Sequence, residues 1–147
     1  MRELFRKTSA ADGILSEKLF DKGHFIGYRL THPQDGEGME LALLSKAYHG
    51  QFEEAGRLGP YVFSADAFRF GIGILEQSIA DPAVRALFLD EAGPLELKGQ
   101  GFAGVLPALL RSGKELYITV RTSCLESFLR KYPVSDYRLI QVPVNES

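Results

Sequence analysis

The sequence predicts a three-layer α/β domain, a mainly parallel sheet between helices, with a small antiparallel meander contributed by the first half. Three observations carry that expectation. After residue 60 the apolar pattern alternates helix, strand, helix, strand, helix, strand. Within "VRALFLD", the four apolar residues Ala86 to Leu89 end in an acid, the pattern of a strand covered on both faces. Before residue 45, short extended runs are separated by glycine-bearing turns, as in hairpins.

Residues 1 to 11 read as a short helix whose only large apolar side chains are Leu4 and Phe5. Such a helix needs a tertiary partner, because nucleating so few residues is unfavourable in water. "GILSEKLF" and "HFIGYRLT" flank Asp21-Lys22-Gly23 and read as a hairpin. Met39, Leu41 and Leu43 alternate with Glu40 and Ala42 after the polar turn "HPQDGEG", which predicts a third strand. Residues 46 to 60 show no period and are expected to be irregular, followed by a short extended stretch at Tyr61 to Phe63.

Asp66 is positioned to cap a helix carrying Phe68, Ile72, Leu75 and Ile79 on one face, ended by Asp81-Pro82. After the strand ending at Asp90, Phe102, Val105, Leu106, Leu109 and Leu110 predict a further helix. Pro107 kinks it or marks its first turn, and Gly113 stops it. "ELYITVR" reads as a buried strand. Ser123-x-x-Glu126 spells a capping box for a helix through Leu125, Phe128 and Leu129, and "YRLIQVPV" reads as a last strand.

At 147 residues this is one domain, 1–147, with antiparallel strands over about 10–45 and the α/β part over about 60–142. Seventeen basic and nineteen acidic residues leave a net charge of -2. That balance, with no basic patch, argues against nucleic acid and anionic membrane surfaces as partners. No apolar run is long enough to span a bilayer. The lone Cys124 excludes an intrachain disulfide and a CxxC site, and fits a cytoplasmic location.

"LFLDEAGPLELKGQGFAG", residues 87 to 104, holds two overlapping signatures. Gly99-x-Gly101-x-x-Gly104 spells the dinucleotide fingerprint of an oxidoreductase, yet that motif requires its first glycine in the turn directly after a strand. Eight residues separate Asp90 from Gly99 here, so chance spacing among fifteen glycines is the simpler reading. Asp90-Glu91 closes its strand as a Walker B pair does: the first acid faces the crevice and can hold Mg2+, the second can orient or deprotonate water. Taken alone, the pair also reads as a strand end entering a polar loop.

Cys124 and Arg130 share the C-x5-R spacing of cysteine phosphatases, but "LESFL" between them is a helix face rather than a phosphate-cradling loop. His24, His32 and His49 lack metal-ligand spacing.

"DEAGPLELKGQGF" resembles the extended Walker B segment of the THEP-type nucleoside triphosphatases, matching it at Asp90, Glu91, Gly93, Glu96, Leu97 and Phe102 and departing conservatively at Ala92 and Leu95. "GILSEKLFDKGHFIGYRL", "GPYVFSADAF" and "LYITVR" are similar to other segments of that family, so the resemblance covers roughly residues 10 to 142. It implies a P-loop-NTPase-like sheet, a nucleoside triphosphate as substrate with Mg2+, Asp90 as metal ligand and Glu91 as catalytic residue. Family position also offers Glu96 as a catalytic residue, though it reads more simply, with Gly93, as shaping the following loop by bonding its backbone. Apart from the resemblance, Arg121 at the carboxyl end of the next strand reads as a phosphate contact in the same crevice or as a surface charge.

One departure carries chemical weight. The family begins with a Walker A strand, loop and helix, whereas these 147 residues contain no G-x-x-x-x-G-K-[ST]; Gly113-Lys114 is followed by Glu115, and Ala108 stands where the first glycine is needed. Without that loop there are no clustered N–H groups or lysine on the β- and γ-phosphates. The expectation is therefore the Walker B half of a hydrolysis site, inactive or very weak alone. A P-loop-supplying chain or self-association would complete it, or the chain would act as a non-catalytic binding module.

Overall fold

The computed structural model describes residues 1–142. Its strands are β1 (Ala11–Asp21), β2 (His24–Thr31), β3 (Gly38–Leu44), β4 (Glu54–Leu58), β5 (Tyr61–Ser64), β6 (Ala86–Ala92) and β7 (Glu115–Val120). The helices are α1 (Arg2–Lys7), α2 (Ala65–Ala80), α3 (Pro94–Leu97), α4 (Leu106–Leu110) and α5 (Leu125–Lys131), with 3-10 turns at Ser45–Ala47 and Thr122–Cys124. All seven strands join in one mixed sheet, in the order β4-β5-β3-β2-β1-β6-β7.

The parallel part is confined to β1, β6 and β7, and the other four pairings are antiparallel. The meander is not a separate small sheet, because the eleven-residue β1 belongs to both parts. Its first residues, Ala11 to Ile14, run alongside β6, and from Leu15 onward it pairs with β2. Gly13 permits the first contact. Its φ of +137° lies in a region that L side chains avoid, and a Cβ there would stand 2.2 Å from the Phe88 carbonyl oxygen.

One face of the sheet carries the main core, where Ile14, Leu30, Leu87 and Leu89 meet Phe68 and Leu75 of α2, Leu106 and Leu109 of α4, and Phe128 of α5. The opposite face is covered thinly, by Met1 and Phe5 over Ala11, Leu15, Ala86 and Phe88. This explains how a six-residue helix holds. Phe5 packs edge-on against Phe88 at 5.2 Å, and Tyr117 stacks on the same ring at 4.6 Å.

Several local expectations give way to other physics. The cap of α2 is Ser64, whose hydroxyl accepts the Ala67 N–H at 3.1 Å; Asp66 lies in the first turn and pairs with Arg69 instead. Residues 46 to 60 contain β4, hidden from pattern reading because "EAGRL" is a half-exposed edge strand with a register shift between Glu54 and Gly56. Ser123 does not cap α5. A 3-10 turn precedes that helix, Cys124 is its N-cap without a side-chain bond, and Glu126 bonds Arg130 within the helix. Pro107 sits in the first turn of α4, where its missing N–H costs nothing.

The last predicted strand is absent over Tyr137 to Val142; Pro143 and Val144 lie outside the described residues. Leu139, Ile140 and Val142 are 62%, 63% and 67% exposed, so among the described residues this apolar stretch packs against no strand. β7 ends the sheet on that side.

Candidate functional site

The acid pair stands at the carboxyl end of β6, between the end of β7 and the middle of β1, just past the last residues that β1 pairs with β6. Leu89 registers with Ile118 and Ala92 with Val120, so Asp90 and Glu91 occupy the span of one residue on β7. They form a β-bulge. A bulge kinks a strand and re-aims its side chains. Glu91 pays for this geometry with φ = +67°, the left-handed region that a residue with a Cβ enters at a cost.

Thr119 of β7 binds both residues through one hydroxyl. Its Oγ1 donates to Asp90 Oδ1 at 2.6 Å and accepts the Glu91 N–H at 2.5 Å. Asp90 Oδ2 accepts the Ser16 N–H of β1 at 3.1 Å. The carboxylate therefore ties the carboxyl ends of β6 and β7 to the middle of β1 while each oxygen keeps lone-pair capacity. Among the described residues, Ser16 Oγ is the buried side-chain polar atom that finds no hydrogen-bond partner.

Glu91 keeps solvent contact but is crowded on its protein side. Desolvation raises its pKa above the ordinary carboxylate value, the adjacent Asp90 charge adds to the rise, and Arg121 and Lys18 pull it back. Arg121 directly follows β7 and, with Glu91, lines a cavity of about 130 Å³ walled by Tyr28, Tyr61, Phe63 and Leu41. Burial pushes the Tyr28 phenol up to about 12, assisted by Tyr61 and by the Glu91 charge. Asp90, Glu91 and Arg121 are thus neighbours in space.

Glu96, in the short helix α3 that follows the acids, is only 3% exposed. Its Oε1 accepts the Gly93 N–H at 2.8 Å, its Oε2 the Phe102 N–H at 2.9 Å, and the Tyr132 hydroxyl donates to its backbone carbonyl at 2.9 Å. The side chain fastens both ends of the loop that follows the acids. Desolvation raises its pKa, and the hydrogen bonds from Phe102 and Gly93 oppose that rise without cancelling it.

The same carboxylate explains the glycine run. Gly99, Gly101 and Gly104 follow α3, not a strand, so the turn a dinucleotide site needs is missing there. Gly101 has φ = +62°, and a Cβ on it would meet Glu96 Oε2 at 2.1 Å. It makes room for a buried acid. Cys124 is buried and Arg130 points outward on α5, so their C-x5-R spacing forms no phosphate loop.

Sequence reading missed Thr119, Ser16, Tyr28 and Tyr61. Thr119 had a signal, as the polar residue near the carboxyl end of an apolar strand; the tyrosines had none, since only the meander's register brings them to Glu91.

A family model described as NTPase matches residues 1–146. The chain belongs to the THEP-type nucleoside-triphosphatase family. Nucleoside-triphosphatase THEP1 of Pyrococcus abyssi is 26% identical over 127 residues, which is 86% of this chain and 66% of that protein, just under two thirds of its length. The crystal structure of THEP1 from Aquifex aeolicus superposes with a TM-score of 0.63 at 19% identity, over 90% of this chain and 75% of that one. The solution structure of a human cancer-related nucleoside triphosphatase gives 0.61 at 21%, over 95% and 78%. These likenesses establish the P-loop-NTPase-like fold of this THEP-type domain. Among the described residues no helix is long and apolar enough to cross a membrane.

The donors at the site suit Mg2+. Asp90 and Glu91 offer two carboxylates and Thr119 a hydroxyl, hard oxygen donors of the kind Mg2+ accepts, and Mg2+ is usually held by one or two carboxylates plus water and phosphate oxygens. No group of three or more His, Cys, Asp or Glu side chains among the described residues could hold a metal alone.

Proposed function

We propose that this chain carries the acid half of a nucleoside-triphosphate hydrolysis site, with Asp90 holding Mg2+ and Glu91 acting as the catalytic base. One observation supports it above the rest: a strained bulge at the end of the central parallel strand sets two carboxylates side by side, with Glu91 on the wall of a cavity that Arg121 also lines. Mg2+, when bound, would neutralise charge developing on the phosphates. Glu91 contributes a carboxylate whose raised pKa makes it a better proton acceptor than an ordinary surface glutamate. Arg121 is the phosphate contact on the same side, and Gly93 and Glu96 hold the loop that follows the acids. The single buried cysteine suits a cytoplasmic location.

The phosphate-binding half must come from outside these 147 residues, since they contain no Walker A loop. The edge of β7 suits its arrival, because this parallel strand ends the sheet next to Thr119 and Arg121. Alone, the chain should hydrolyse nucleotide weakly or not at all. The same edge favours a second reading, a binding module that kept the fold and self-associates there.

Phosphate release from Mg-ATP, measured with the chain alone and with an added Walker A polypeptide from the family, tests both. The hydrolysis reading expects stimulation that Asp90→Asn and Glu91→Gln each reduce at least a hundredfold. Stimulated hydrolysis unchanged in both variants would refute it. Complex formation with no activity supports the binding module.

A further inference from the structure

The cavity beside Glu91 is built for more than water. A single water occupies roughly 30 Å³ of liquid volume. This cavity holds about 130 Å³, enough for one six-membered ring with substituents. Its walls are aromatic: Tyr28 and Tyr61 lie 5.7 Å apart, and Phe63 is 6.4 Å from Tyr61. Such walls offer a stacking surface that neither a metal ion nor a phosphate requires.

Polar groups of three kinds complete the lining. Arg121 brings a permanent cation, Glu91 a carboxylate, and Tyr28 a phenol that stays neutral across ordinary pH. An apolar pocket with a few convergent polar groups is the usual form of a small-molecule site. The opposite charges of Arg121 and Glu91 also define which ligand it takes. One end must be an anion, and the other must donate a hydrogen bond.

We propose that this cavity binds a small molecule made of one planar ring bearing an anionic group and a hydroxyl. The ring packs on Tyr28 and Tyr61, the anion pairs with Arg121, and the hydroxyl donates to Glu91. One consequence rests on the hydrolysis reading above: a hydroxyl on the catalytic base competes with water for the γ-phosphoryl group. In that transfer the hydroxyl oxygen bonds to phosphorus, the bond to the β–γ bridging oxygen breaks, its electron pair leaves with the nucleoside diphosphate, and the proton passes to Glu91.

Binding is read without nucleotide, by NMR titration of the chain with 4-hydroxybenzoate, phenol and benzoate. A failed phosphate-release assay therefore leaves this proposal standing, and a failed titration leaves hydrolysis standing. Saturable shifts at Tyr28, Tyr61 and Glu91 are expected for 4-hydroxybenzoate, with weaker binding of the two probes that each lack one polar group. Arg121→Ala, at an exposed position, should weaken 4-hydroxybenzoate about tenfold and leave phenol unchanged. Absence of saturable shifts at those residues with all three probes overturns the proposal. So does equal binding of the three, or an affinity for 4-hydroxybenzoate that Arg121→Ala does not change.

Discussion

Replacing Glu96 with alanine removes the acceptor of two buried backbone donors, the N–H groups of Gly93 and Phe102. Each buried donor left unsatisfied costs about 1–3 kcal/mol. Against that stands relief of the charge burial that raises the Glu96 pKa. The net at neutral pH should be a loss of about 2–4 kcal/mol, a large share of the roughly 5–15 kcal/mol that holds a domain together. Urea unfolding followed by circular dichroism reads it directly, provided the slope with denaturant is unchanged.

The pH dependence gives the sharper test. A carboxyl whose folded pKa is raised binds its proton more tightly in the native state than in the unfolded one, so native stability falls as pH rises between the two values. The window runs from its ordinary value of 4.5 up to the raised native value. Wild type should therefore gain stability relative to Glu96→Ala as pH falls through that window, the reverse of a salt-bridged carboxylate. Glu91 titrates alike in both proteins and cancels in the difference. An alanine variant within about 0.5 kcal/mol of wild type at pH 7, or a gap that widens as pH rises, would refute this account of the loop.

The remaining predictions concern the bulge and the far end of the sheet. Thr119→Val deletes the hydroxyl shared by Asp90 and Glu91 and should cost about 1–2 kcal/mol, with Thr119→Ser restoring most of it; thermal melts decide. Glu91→Gly relieves a left-handed φ worth roughly 1–2 kcal/mol and gives back part of that as chain entropy, so a gain of about 0.5–1 kcal/mol in urea unfolding should accompany loss of stimulated hydrolysis. Lys114 donates to the carbonyls of Ser78, Asp81 and Val84 at 2.8, 2.5 and 2.7 Å, tying α2 to the start of β6. Lys114→Met should lose about 1–3 kcal/mol and speed amide exchange at the end of α2.

What the sequence made legible follows from the range of the interactions involved. β6, β7 and α2 announce themselves because apolar periodicity is local and strong, and the residue run from Asp90 to Phe102 carries enough specific spelling to identify its family. β4 and α3 are invisible because one is a half-exposed edge strand and the other a four-residue turn of helix pinned by a buried acid. "YRLIQVPV" misleads for a different reason. Its pattern is a strand's, but a strand exists only through its neighbour, and among the described residues none pairs with Leu139, Ile140 or Val142.

The site divides along the same line. Asp90 and Glu91 are readable as an acid pair, yet what makes them a site is the extra residue that β6 carries against β7, and no local pattern encodes a register shift. The cavity is further still from the sequence, since Tyr28 reaches Glu91 only across β1, which lies between β2 and β6, and Tyr61 joins them only after β3 and β5 have paired as well. This arrangement couples the two proposals physically. Glu91 borders both the Asp90 oxygens and the aromatic cavity, so its left-handed backbone, held by Thr119, sets the direction of one carboxylate that water and a ring-borne hydroxyl would share. Removing that carboxylate in Glu91→Gly should therefore abolish stimulated hydrolysis and weaken 4-hydroxybenzoate to the level of benzoate while the fold gains stability, whereas Arg121→Ala should weaken the ligand without relaxing the bulge.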